Sequence, residues 1–278
     1  MEIIKTIEEV KKIIGKWKSE DKTIGFIPTM GYLHEGHQSL MKSASENDKK
    51  VVSIFVNPTQ FAPNEDLDKY PRDLERDIEI CKEENVDLLF VPDVIEMYNN
   101  NFSTYINVEN LSENLCGESR PGHFRGVCTV VNKLFNIVKP DKAYFGQKDA
   151  QQLIIIKKMV RDLNMDVDII SCPIIREEDG LAKSSRNKYL NNEERKAALI
   201  LNSSLKRAFK EIQCGEKNST VIINNIKDSI KNEPLAKIDY VKIVDLDKIK
   251  DITEIKSPAL VAIAVKIGKT RLIDNFII

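Results

Sequence analysis

The sequence predicts an α/β chain: a parallel sheet covered on both faces by helices, followed from about Arg176 by a smaller α+β domain. Three observations predict it. Short β-branched runs alternate with helical spacings through the first two thirds, the rhythm of a parallel sheet. That rhythm breaks at the polar, turn-rich stretch REEDGLAKSSRNKYL, which begins at Arg176. Beyond it the helical patterns come first and strand-like runs follow together, as in an α+β unit.

Taken in order, Thr23–Pro28 (TIGFIP) reads as a strand, Gln38–Glu46 as a helix and Lys50–Val56 as a second strand. Leu67–Glu84 has helical spacing and ends near Asn85, and Asp87–Val91 is a third strand. Val127, Val130, Val131, Leu134, Phe135 and Val138 recur at three and four residues, one apolar helix face. Asp141–Phe145 reads as a strand, Ala150–Leu163 as a helix and Val167–Ser171 as a strand. After the loop, Leu201, Leu205, Ala208, Phe209 and Ile212 mark one helix face, and Thr220–Lys231 a further helix. Ile238–Val244, Ala259–Val265 and Arg271–Ile278 are strand-like. The division is therefore 1–176 and 177–278. Ligands in parallel-sheet folds bind beyond the carboxyl ends of the strands.

Composition narrows the function. The 278 residues are 42% hydrophobic and 31% charged, enough to bury a core and coat it. Lys+Arg is 42 against Asp+Glu 43, which leaves no long-range positive field for nucleic acid. The five cysteines are odd in number and far apart, so a disulfide framework or zinc site is not expected. They read as buried free thiols in a reducing compartment, and the protein as cytoplasmic. The amphipathic start MEIIKTIEEVKKIIGKWKSE lacks the apolar run and cleavage site of a signal peptide, and runs such as Leu153–Ile156 and Ala259–Val265 are too short to span a bilayer.

Four segments carry chemistry. PTMGYLHEGH (28–37) joins a strand to a helix, where backbone N–H groups and the helix dipole favour a phosphate. Gly31 and Gly36 permit a tight turn and close approach. His34 and His37, three residues apart, face one side of a helical turn. Protonated, they can bond phosphate oxygens; alternatively they cap or pack the helix start. HEGH lacks the HExxH spacing of a zinc helix. In FVNPTQF (55–61), Asn57 and Gln60 offer amides at a strand's carboxyl end, or simply a proline turn. In YFGQKDAQQ (144–152), Lys148 can neutralise a phosphate oxygen, while Asp149 and Gln152 fit an N-cap with its capping-box partner. In Lys183-Ser184-Ser185-Arg186, two hydroxyls, an ammonium and a guanidinium suit the phosphates of ATP, or form a solvated basic loop.

Together these segments, with RPGHFRGVCTVVNKLFNIVKPDKAYFGQKDAQQ (120–152), resemble the pantothenate synthetase family of the class I aminoacyl-tRNA synthetase and nucleotidyltransferase superfamily, in order from about Thr23 to Leu190. The resemblance implies a Rossmann-like, doubly wound sheet of the HxGH type. It implies an ATP-dependent ligase that joins pantoate to β-alanine through pantoyl adenylate, with Mg2+ on the triphosphate, in a homodimer. It implies ATP contacts from Met30, Gly31, Tyr32, Leu33, His34, Glu35, Gly36 and His37, from Gly146, Gln147, Lys148 and Asp149, from the backbone of Ile175, and from Lys183, Ser184, Ser185 and Arg186. His37 would be the general acid, His34 its companion, and Lys148 the stabiliser of charge at phosphorus. Gln60 and Gln152 would bind pantoate; Asn57, Tyr70 and Arg125 lie in matching segments. Family members usually carry methionine where this chain has Lys183. The rival activity is an adenylyl- or cytidylyltransferase of the same superfamily, and a further rival is a non-catalytic nucleotide-binding protein.

Overall fold

The computed structural model describes residues 1–63, 65–256 and 258–278. Its elements are β1 (Glu2–Ile4), α1 (Ile7–Ser19), β2 (Ile24–Thr29), α2 (Glu35–Ser43), β3 (Lys49–Ile54), α3 (Leu74–Glu83), β4 (Leu88–Phe90), α4 (Val94–Met97), α5 (Cys116–Ser119), α6 (His123–Val138), β5 (Lys142–Gly146), α7 (Ala150–Asp162) and β6 (Asp168–Cys172). The smaller region adds α8 (Asn192–Ala197), α9 (Leu199–Gln213), α10 (Ser219–Lys231), β7 (Ala236–Asp245), β8 (Ala259–Ile267) and β9 (Thr270–Ile277). The first six strands form one sheet in the order β1-β4-β3-β2-β5-β6, paired in parallel throughout. The last three form an antiparallel sheet, β7-β8-β9.

The parallel sheet is a core layer. The inner strands β2, β3 and β4 are nearly all buried residues, as a sheet covered on both faces requires. On one side lies a cluster built from Val10, Ile14 and Trp17 of α1 and from Val127, Val131, Leu134 and Val138 of α6. On the other, Leu40 and Met41 of α2 and Cys81 of α3 pack on Ile27, Val52 and Leu89. A third cluster draws on Leu201, Leu205, Ile222, Ile226 and Ile263 under the small sheet.

Some elements depart from the sequence reading. The sheet begins with β1, whose register is Glu2 against Leu88; three residues at an edge carry too little pattern to read as a strand. Leu67–Glu84 is not helical throughout: Pro71 interrupts it, and α3 starts after Asp73, whose carboxylate accepts from the Arg76 N–H. Phe209 sits beside the buried face of α9 and meets Phe276 edge-on, ring centroids 5.3 Å apart. All five cysteines are free; four are buried, and Cys214 is exposed. Among the described residues no helix is long and apolar enough to cross a membrane, and no group of three or more His, Cys, Asp or Glu is placed to hold a metal ion.

Candidate active site

The chain changes direction across the sheet between β2 and β5. β3 and β4 extend one way from β2, and β6 extends the other way from β5. A crevice opens beyond the carboxyl ends at such a switch point. Here β2 and β5 pair only at Gly25–Lys142 and Phe26–Ala143 and then part. Pro28, with no N–H for a ladder, stands just past the parting. The segment after β2 and the turn after β5 therefore face each other, although a hundred residues separate them in sequence.

The first segment is held rigidly. Gly31 (φ +82°) and Tyr32 (φ 51°) both take the left-handed conformation. A Cβ on Gly31 would come within 2.9 Å of Ile54 Cγ2 and 3.0 Å of Asp77 Oδ2. Asp77 of α3 is buried and accepts from the Tyr32 and Leu33 N–H groups, each at 2.7 Å. Burial raises its pKa against the pull of those two bonds. His34 is the N-cap of α2: its Nδ1 accepts from the Gly36 N–H at 3.1 Å, and His37 Nδ1 accepts from the His34 N–H at 3.2 Å. Capping thus uses Nδ1 of each ring, and the neutral imidazole keeps its proton on Nε2.

The ring centroids of His34 and His37 lie 4.2 Å apart. Burial and then the Lys148 charge lower His34 to about 4. Burial, then His34 and Lys148, push His37 well below the usual imidazole range. Both shifts favour the neutral imidazole when no anion is bound beside the rings.

His34 and His37 line a cavity of about 230 Å³ together with Met30, Gly36, Gln60, Tyr70, Gly146, Lys148, Asp149, Gln152, Ile175, Lys183, Ser184, Ser185 and Arg186. It adjoins a cleft of about 990 Å³ toward the small sheet, which shares Lys148, Asp149, Gln152, Ser184 and Arg186. Gly31, Tyr32, Leu33, Glu35 and Gln147 line neither. Leu33 is wholly buried in the core, Tyr32 lies under the cations of Lys188 and Arg76, and Glu35 turns to Lys183. Gln147 turns to Asn275 and Ser171.

Asp149 does not cap α7 with its side chain. Its oxygens accept from Lys148 Nζ at 3.2 and 3.1 Å. Burial works to raise its pKa, but Lys148 and Arg186 outweigh it and leave the carboxyl below its ordinary value. Asn275 of β9 donates to the Gln147 and Lys148 carbonyls at 3.1 and 2.9 Å, so the small sheet fixes the turn that carries the lysine. Asn57 is buried and fully engaged: it donates to Gln60 Oε1 and to the Gly126 carbonyl, and accepts from Thr59 and Tyr98. Gln60 donates to Met30 Sδ at 2.9 Å. Tyr70 OH lies 3.4 Å from Ser185 Oγ, whereas Arg125 stacks on Tyr105, outside both cavities.

Residues not singled out from the sequence complete the wall. Arg120 and His123 border both cavities. Arg120 pairs with Glu65 at 2.5 Å, and Arg186 with Asp66 at 3.2 Å. His123 Nδ1 lies 2.8 Å from the Gln60 carbonyl, and burial with Arg120 lowers its pKa to about 4. Its signal was available: it is the remaining histidine of a chain with three, inside the longest matching motif.

The sequence model of the Pantoate-beta-alanine ligase family matches residues 2–277. The chain belongs to that family. The pantothenate synthetase of Clostridium botulinum (strain Loch Maree / Type A3) is 61% identical over 277 residues, 99% of each chain. That of Enterococcus faecalis is 60% identical, covering 99% of this chain and 98% of the other. The crystal structure of pantothenate synthetase from Thermus thermophilus superposes with a TM-score of 0.95 at 41% identity, covering 99% of both chains. Pantoate-beta-alanine ligase from Francisella tularensis, solved with Beta-gamma ATP and Beta-alanine, gives 0.81 at 38% identity, covering 100% of this chain and 97% of the other.

The histidines of this ligase also set a pH dependence. An unfolded histidine titrates near 6.5, whereas the folded values of His34 and His123 are about 4 and that of His37 is well below 6.5. In that window the unfolded chain binds more protons, so stability falls as pH falls from about 6.5 toward 4. The urea midpoint near pH 5 is expected below that near pH 7, with part of the slope lost in His123→Gln. Equal midpoints would contradict the buried neutral state.

Proposed function

We propose that this ligase condenses pantoate with β-alanine at the cost of ATP, in the cavity where His34, His37, Lys148 and Ser184–Arg186 converge. That convergence is the observation that carries the reading. In the first step a pantoate carboxylate oxygen bonds to the α-phosphorus and the bond to pyrophosphate breaks. In the second the β-alanine amine bonds to the acyl carbon, AMP leaves, and the amine gives up its proton. The first step brings two anions together, so the site must neutralise and orient them.

His37 and His34 present Nε2–H to the α-phosphate as neutral donors. His37 serves as the general acid and His34 as its companion, since an arriving phosphate charge favours the protonated imidazole. Lys148 balances the charge that builds at phosphorus. Met30–His37 and Gly146–Asp149 flank the nucleotide, with Gly31, Tyr32, Leu33, Glu35 and Gln147 contributing backbone or support. Ile175 offers backbone to adenine, and the Lys183–Arg186 loop closes on the β- and γ-phosphates, with Ser184, Ser185 and Arg186 as the groups that reach them and Lys183 at its base. Gln60 and Gln152 take pantoate's polar groups. Mg2+ accompanying the triphosphate would be held mainly by phosphate oxygens. Asp149, ionised, facing the cavity and paired with Lys148, would be the carboxylate able to turn to such an ion, which would add charge neutralisation there.

Residues 1–176 serve as the nucleotide- and pantoate-binding domain, and 177–278 as the domain that delivers the phosphate loop. The switch from parallel to antiparallel pairing supports that division. In this reading the ligase is cytoplasmic, where free cysteines persist, and a homodimer as the family resemblance implies.

Incubation with ATP, pantoate and β-alanine tests the activity. Pantothenate, AMP and pyrophosphate should appear together, with pyrophosphate exchange into ATP that requires pantoate. ADP as product, or exchange without pantoate, overturns it.

A further inference from the structure

Lys183 stands where the phosphate loop, the first nucleotide segment and the loop's own base meet. Its Nζ lies 2.7 Å from Glu35 Oε1 and 2.9 Å from Glu177 Oε2, with the lysine side chain only 17% exposed. Glu35 opens α2, directly after the capping His34. Glu177 belongs to a tight hairpin: Arg176 bridges to Ala182, the Glu177 N–H donates to the Leu181 carbonyl, and the Gly180 N–H returns to the Glu177 carbonyl. That hairpin is anchored on the small sheet, because Arg176 binds the buried Asp274 through two bonds of 2.7 and 2.9 Å. The Lys183 backbone N–H donates to the Ile175 carbonyl, so its main chain is fixed too.

We propose that Lys183 is a positioning residue: its ammonium ties Glu35 at the start of α2 to Glu177 on the anchored hairpin, and so holds Ser184–Arg186 over the imidazoles before ATP arrives. A methionine of similar length could pack there but could not bridge two carboxylates. Both carboxylates are partly exposed, so the contribution is modest and sensitive to salt. The benefit is preorganisation: a loop already in place gives up less freedom when the nucleotide binds.

The inference rests on the ATP reading above, and a double-mutant cycle separates the two. Lys183→Met, Glu35→Gln and the double variant are compared for binding of a non-hydrolysable ATP analogue and for KM of ATP and of pantoate. Lys183→Met should weaken ATP binding about fivefold at low salt, the scale of a partly exposed ion pair, with much less change in pantoate KM or kcat. Glu35→Gln should weaken it as well, and the double variant should be no worse than the worse single change. The differences should shrink in high salt.

A lysine that instead reached the phosphates directly would give the opposite sign at Glu35, since Glu35→Gln would free it and tighten ATP. That result, or additive effects, overturns the tie while leaving the ligase reading intact. A wild-type protein that makes no pantothenate removes the ATP reading itself. A loss of melting temperature with unchanged ATP affinity marks Lys183 as merely structural and also overturns the proposal.

Discussion

Replacing Lys148 with alanine should slow adenylate formation in a single turnover by about 10²–10³-fold, the scale of losing one preorganised donor to a charged transition state. The prediction follows from where its charge sits. Lys148 lies on the wall between the two cavities, and its charge is felt at both His34 and His37. Its ammonium bonds the carboxylate of its own neighbour, Asp149, and that bond costs little to rearrange. In the attack on the α-phosphorus, negative charge moves onto the bridging oxygen as pyrophosphate leaves. A cation placed there gains more in the transition state than in the bound ground state, which is what accelerates a step. The ATP dissociation constant should therefore change by less than about tenfold while the rate falls further.

A second readout checks the geometry independently of turnover. Lys148 helps to hold His34 low, so Lys148→Ala should raise the His34 pKa above its value of about 4, as followed by the imidazole proton resonances. An unchanged single-turnover rate would remove Lys148 from the chemistry. An unchanged His34 titration would show that the ammonium is not near the imidazole in solution.

The parts of this site differ in how plainly the sequence displays them. The strand–helix alternation was readable because the inner strands are short, largely apolar runs between helical spacings. The segments 28–37 and 144–152 were readable as candidates because they sit where β2 and β5 end. What the sequence does not display is strand order. Nothing in the residues states that Gly25 pairs with Lys142, yet that pairing brings His34 and Lys148 to one crevice. The supporting shell is equally silent. Asp77 sits in a helix among Glu75, Arg76 and Glu79 and reads as one more solvated charge; only the fold shows it buried under the Tyr32–Leu33 backbone. Asn275 reads as a polar residue in a strand, yet it fixes the Lys148 turn from the other sheet. Asp149 has cap spacing, but the lysine beside it competes successfully for its carboxylate. In each case a tertiary partner decided the role, and for all but Asp149 that partner is distant in sequence.

Gly126→Ala should give a folded protein that has lost most of its capacity to use pantoate. The reason is contact rather than conformation. A Cβ on Gly126 would lie 2.5 Å from Thr59 C and 2.7 Å from Gln60 Cα, and closer still to the Thr59 carbonyl oxygen. These are backbone atoms, so no flexible side chain can yield. Either α6 retreats or the turn carrying Asn57 and Gln60 moves. Helix retreat is resisted by Phe124, Val127, Cys128 and Val131, all buried in the core. Turn movement breaks the Asn57 bond to the Gly126 carbonyl and displaces Gln60 from Met30.

Alanine gains roughly 1 kcal/mol of helix propensity over glycine, and overpacking costs roughly 1–3 kcal/mol, so the net loss of stability should be small. The catalytic cost should be larger, because misplacing a substrate-orienting group by about 1 Å can cost about 10²-fold. The expected pattern is a raised KM for pantoate and a slower rate, with ATP-analogue binding nearly unchanged.

Gly122→Ala is the control. Gly122 has φ +82° but open space where a Cβ would stand, so alanine there strains the backbone at the start of α6 without pressing on the turn. It should cost about 1 kcal/mol of stability and spare the pantoate KM. If the two variants lose pantoate affinity equally, general loosening of α6 explains the defect. If Gly126→Ala keeps wild-type pantoate kinetics, Gln60 is not held in place by the close approach of α6.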